Sequence, residues 1–130
     1  MESMKRLLAT FALVTVFGGT LAEAHHSFAR FYFEEETISI EGELFEFKFR
    51  SPHAWLYVMT EDADGTMRLF AAEWANANRL GREGVTGDTL QPGDRIIITG
   101  SPGRNPSEHQ IHLKNVERPA DGWTWHRASR

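Results

Sequence analysis

ISIEGELFEFKF, residues 38–49, is the stretch on which the reading of the fold turns. Ile38, Ile40 and Leu44 fall on one parity of an extended strand, and Phe45, Phe47 and Phe49 on the other. Side chains alternate across a strand, so a switch of apolar parity implies a bulge or a sharp bend, and Gly42 lies close enough to permit one. A strand that bends in this way can serve two sheets at once. The chain that follows is a short meander. Residues 54–60 (AWLYVMT) read as a second strand, apolar on both faces and therefore buried. Asp62-Ala63-Asp64-Gly65 makes a hairpin turn, because Asp-Gly readily takes positive φ. Residues 67–74 (MRLFAAEW) return as the third strand.

The texture then changes. Residues 76–83 (NANRLGRE) suit a short helix, with Asn76 or Asn78 as its cap and Gly84 as its stop. Pro92-Gly93 centres a tight turn, residues 95–100 (RIIITG) form a fourth strand, and 101–108 a loop rich in Gly, Pro and Ser. Residues 110–117 (QIHLKNVE) alternate as a fifth strand, with Ile111 and Leu113 inward and His112 and Lys114 outward. The expected fold is all-β: a five-stranded oligonucleotide/oligosaccharide-binding-like barrel with a short helix between strands 3 and 4. An open six-stranded sandwich is the rival architecture. Residues 25–36 are expected as an N-terminal arm and 119–130 as an irregular tail, from which Trp123 and Trp125 can dock on the barrel.

The first 24 residues have the parts of a secretion signal in order. Lys5 and Arg6 give a basic start, residues 7–17 an apolar run, and Ala22-Glu23-Ala24 the small side chains that signal peptidase accepts. The run falls short of the about 20 apolar residues that a bilayer span requires. The expected mature protein is periplasmic or secreted, begins at His25 after a cut between Ala24 and His25, and is not membrane-embedded. It is large enough for a single barrel domain, residues 25–130, with one core. The chain contains no cysteine, which excludes thiolate catalysis and thiolate metal sites. Its net charge of −4 argues against nucleic acid as a partner.

Several segments together resemble a family of small exported bacterial proteins, domain-of-unknown-function family 6152. They are His25-His26-Ser27-Phe28 at the expected mature start, Glu41-Gly42-Glu43-Leu44, Pro52-His53-Ala54-Trp55, Ala72-Glu73-Trp74, Asn78-Arg79-Leu80 and Leu90-Gln91-Pro92-Gly93-Asp94. The His-His-Ser-Phe start and the Pro-His-Ala-Trp block are the specific parts. Family members carry Asn where this chain has Ser51, and Gly-Trp-Thr where it has Gly84-Val85-Thr86. The resemblance implies no activity, so the chemistry is argued from residues.

If cleavage exposes His25, its α-amine and its imidazole Nδ1 can chelate one metal ion together. A second imidazole completes a flat three-nitrogen set of the kind that favours Cu(II). His53, at the start of a strand, is the best distant donor, and His26 offers a competing mode through the terminal amine. Glu73 is the carboxylate expected to hold a ligand histidine or to take an axial position, read on an inward parity with Leu69 and Ala71. The competing assignment for Glu73 is a structural pair with Arg79. His109 and His112 are expected to be solvated, His126 to be disordered in the tail rather than ligating, and Met59 and Met67 to lie in the core. Trp55, Tyr57 and Trp74 suit either a core or a stacking platform for a ligand. No phosphate loop, Gly-x-Ser-x-Gly elbow or catalytic carboxylate pair is present, so no catalytic residue is assigned. The leading expectation is a periplasmic module that binds copper or another divalent metal through His25, His53, Glu73 and His26. The alternative is a metal-free interaction domain that takes a protein, saccharide or envelope partner on the barrel face.

Overall fold

The computed structural model describes residues 27–128. The chain divides into two compact units at Arg30/Phe31, and the described part of the first, 27–30, is helical. The second unit carries everything below. Its elements are β1 (Ile38–Lys48), β2 (Trp55–Glu61), β3 (Met67–Glu73), helix α1 (Ala77–Arg82), β4 (Arg95–Pro102), a 3-10 turn (Pro106–Glu108), β5 (Gln110–Arg118) and β6 (Trp123–His126).

β1 pairs antiparallel with β2 along its second half and with β4 along its first. The register against β2 slips between Leu44 and Glu46, which is the bulge expected from the parity switch. Gly42 has a further role there. A Cβ at this position would run into the Met59 carbonyl and the Val58 side chain, so only glycine lets β2 approach. β2 and β3 form a hairpin around Asp62–Gly65, closed by a hydrogen bond from Gly65 N to Asp62 O (2.9 Å), with Gly65 at φ 82°. β4 pairs with β5, and the first three residues of β5 pair parallel with the end of β3: Ala71↔Gln110, Ala72↔Ile111 and Glu73↔His112. That last pairing closes the ring β1-β2-β3-β5-β4. The connectivity is that of the five-stranded oligonucleotide/oligosaccharide-binding barrel, with a short helix between β3 and β4.

The interior is apolar. Leu44, Leu56, Val58, Ala72, Ile96, Ile98, Ile111, Leu113 and Val116 point inward from the five strands. α1 plugs one end with Leu80, and Val85 and Leu90 follow it into the core. Asn76 caps the helix by accepting a hydrogen bond from Arg79 N at 2.8 Å.

Several expectations are corrected by this geometry. The expected irregular tail holds a strand at 123–126: β6 pairs with the second half of β5, which β3 has left unpaired, through Asn115↔His126 to Arg118↔Trp123. Arg118 holds the turn between them, donating to Asp94 Oδ2 (2.8 Å), Asp121 Oδ2 (2.9 Å) and Thr89 O (2.8 Å). Trp125 packs edge-on against Trp74, with ring centroids 5.0 Å apart, and donates to Glu83 Oε2 at 2.7 Å. Met67 is exposed rather than in the core. Leu69, Ala71 and Glu73 lie on the outward parity of β3, since it is Ala72 and Trp74 that are buried.

Trp125→Ala is therefore expected to destabilise the protein by roughly 3–5 kcal/mol, as large-to-small changes of buried aromatics do. Gly42→Ala should also lower stability, because the added methyl meets backbone rather than a movable side chain. Urea unfolding followed by circular dichroism measures both.

Candidate functional site

A row of polar side chains crosses the ends of β2, β3 and β5. His53 precedes β2, where its neighbour Ala54 is fixed by backbone bonds to Ala75 O (3.0 Å) and from Trp74 N (2.8 Å). Its Nδ1 lies 3.2 Å from Glu73 Oε1 and 3.3 Å from the Trp74 carbonyl oxygen. A carbonyl oxygen only accepts, so Nδ1 carries a hydrogen. Glu73 is engaged through its other oxygen as well, with Tyr32 Oη donating to Oε2 at 2.5 Å. Burial first, then the hydrogen bond and charge of Glu73, push the Tyr32 hydroxyl far above its ordinary value, so it stays a donor. The Glu73–Arg79 pair does not form: Arg79 Nε meets Glu83 Oε1 at 3.0 Å, four residues along the helix.

The second half of the row was not legible in the sequence. His112, expected outward and solvated, is 6% exposed. The cause is a strap formed by residues 31–36, which crosses β4 and β5. Phe33 N bonds Pro102 O (2.9 Å), Arg104 N bonds Phe31 O (2.8 Å), and Tyr32 bridges Gly103. The strap lays the Tyr32 ring on His112 (centroids 5.4 Å apart) and brings Glu34 Oε1 to 2.7 Å from His112 Nδ1. Burial holds the His112 imidazole below its ordinary value, although the hydrogen bond and charge of Glu34 pull the other way. The contact is therefore a hydrogen bond from a neutral ring rather than a full ion pair. Tyr32, Glu34 and His112 are the members that sequence reasoning missed. The one signal for them was the aromatic-acidic run Phe31-Tyr32-Phe33-Glu34, which reads as an edge segment rather than a free arm.

Of the expected metal ligands, His53 and Glu73 are brought together, whereas His25 and His26 lie outside the described residues. Among the described residues no three His, Asp or Glu side chains come together as a metal-holding group. His109 is the left-handed residue that ends the 3-10 turn, at φ 48°, with its ring edge-on to Phe70. The possible stacking platform divides. Trp74 is buried against Phe47 and Trp125, while Trp55 and Tyr57 stay half-buried on the outward parity of β2. Further along that outer surface is a groove of about 590 Å³, lined by Glu41, Glu43, Phe45, Met59, Glu61 and Met67 among others.

Comparison with known proteins adds three findings. No curated protein matches the chain. Among solved structures, the barrel is similar to the mitochondrial single-stranded DNA-binding protein Rim1 of S. cerevisiae, at 12% identity and a TM-score of 0.47, over 72% of this chain and 96% of that one. The expectation that nucleic acid is excluded as a partner is withdrawn: the yeast protein is a single-stranded DNA-binding protein, and the exclusion rested on net charge alone. A family model matches residues 13–112, and the chain belongs to that family of unknown function, DUF6152.

Proposed function

We propose that this protein is a metal-binding module of the cell envelope whose site is organised around His53. The observation that carries the reading is the carboxylate contact of that residue. Nδ1 of His53 is turned to Glu73 and the Trp74 carbonyl, and a carboxylate partner on the second ring nitrogen is what metal-ligating histidines commonly have. Glu73 then acts as the orienting carboxylate rather than a ligand, since both of its oxygens are engaged. The sequence supplies the remaining donors. Secretion-signal cleavage after Ala24 would create the α-amine of His25 beside its own imidazole, with His26 as the competing ligand. An all-nitrogen set of this kind favours Cu(II) over harder cations.

Titration of the mature protein, beginning at His25, with Cu(II) is expected to show tight one-to-one binding. One extra alanine before His25, or His53→Ala, should weaken it at least tenfold. Glu73→Gln should weaken it about 10- to 100-fold, the usual cost of losing an orienting partner. Equal affinity in the extended form removes the terminal amine from the site, and equal affinity in the His53 variant removes the reading.

The exposed apolar face favours a second reading, a docking surface for an envelope protein. Phe45 is 62% exposed, Met67 56% and Leu69 42%, all facing outward across β1 and β3. A photo-crosslinker at position 45 should yield one discrete protein adduct in the native envelope, and one at position 117 on β5 none. Identical patterns from both positions overturn this reading.

A further inference from the structure

Resting on the docking-surface reading above, we infer that the groove between β1 and the β2–β3 hairpin takes an extended, basic peptide segment as an added strand.

The groove lies at a fork. β1 and β2 pair last at Glu43↔Met59, and beyond that point the two strands part. β2 runs on through Thr60 and Glu61 paired with β3, while β1 residues 38–42 are paired with β4. The groove of about 590 Å³ fills this fork, with Glu41 and Glu43 on the β1 side and Met59 and Glu61 on the β2 side. Main-chain direction decides what β1 offers to it. Leu44 N donates to Asp94 O and Leu44 O accepts from Gly93 N, both at 2.8 Å, so Leu44 turns its main-chain groups toward β4. Such groups alternate along an antiparallel strand, which turns those of Ile40 and Gly42 to β4 and those of Ser39 and Glu41 to the fork. No strand covers that edge among the described residues. An edge of this kind is where an extended chain adds as a further strand, held by main-chain hydrogen bonds.

Charge selects the occupant. Glu41, Glu43, Glu61 and Asp62 all line the fork. Arg95 is taken by Glu41 (Nε to Oε1, 2.8 Å) and Arg68 by Asp62. Glu43 and Glu61 are exposed and have no ion-pair partner among the described residues. Phe45 and Met67, both exposed, add apolar surface at the same place. A segment that mixes Lys or Arg with apolar residues therefore meets both features. A second copy of this chain fits poorly. Pairing edge to edge would set Glu41 and Glu43 of the two copies against each other, and like charges opposite one another weaken a sheet.

The test is a nuclear magnetic resonance titration of the mature protein with an acetylated peptide of about eight residues that repeats Lys-Val. Binding is expected, with the Ser39 and Glu41 amides exchanging with solvent at least tenfold more slowly at saturation. A Glu-Val repeat, or a Lys-Val peptide methylated on alternate backbone nitrogens, should bind at least tenfold more weakly. So should the Lys-Val peptide to the double variant Glu43→Gln, Glu61→Gln, which changes only exposed side chains. Unchanged binding by the double variant, equal binding of the Glu-Val repeat, no binding, or unprotected Ser39 and Glu41 amides would each overturn the inference. Sedimentation of the free protein as a dimer, with those amides already protected, overturns it in favour of a second copy. A discrete adduct to another protein from position 45 keeps the docking reading in all of these cases. No such adduct together with no peptide binding overturns both.

Discussion

The short parallel ladder between β3 and β5 is the constraint on which the rest of the molecule depends. Only three residue pairs make it, yet they turn a curved sheet into a closed ring. Parallel neighbours need a long crossover, and here α1, β4 and the 3-10 turn are all threaded between the two strands. Closure also decides where the first strand must bend. Because β1 borders both β2 and β4, its bulge at Leu44/Glu46 lets one continuous strand change sheets without giving up hydrogen bonds. β5 divides its free edge between β3 and β6, so nearly its whole length is paired on both sides.

The same ladder sets the chemistry of the polar row. Strands that run parallel and in register bring Glu73 and His112 opposite each other, while the hairpin places His53 at the neighbouring corner. The strap 31–36 then covers the row from outside with Tyr32 and Glu34. Each carboxylate meets a histidine Nδ1. Placing such groups under a protein cover is costly unless their hydrogen-bonding capacity is met, and here it is met by geometry that the main chain fixes.

Strands, turns and helix were legible in the sequence because each rests on local rules: parity, Asp-Gly, Pro-Gly and an asparagine cap. The bulge was legible for the same reason, since the apolar side of one strand cannot change without it. What escaped was whatever depended on distant covering. His112 alternates as an outward residue on β5, and nothing within β5 reveals that residues 80 positions earlier fold across it. Glu73 was placed on the wrong parity because Leu69 and Ala71 look apolar enough to face a core, while the buried set is Ala72 and Trp74. β6 escaped because a four-residue strand has no periodicity of its own and forms only because β5 offers an edge. The pairing of Glu73 with His53 and Tyr32 rather than Arg79 likewise follows from the strap and the hairpin corner, while Arg79 finds Glu83 within its own helix.

The contact between Trp74 and Trp125 carries one more consequence. Two indoles 5.0 Å apart and inclined at 78° are close enough for their excited states to mix. Trp74 belongs to the barrel wall and Trp125 to the last strand laid against it, so the mixing exists only while that strand is in place. The protein thus contains a built-in optical gauge of whether β6 is docked, readable without any attached label.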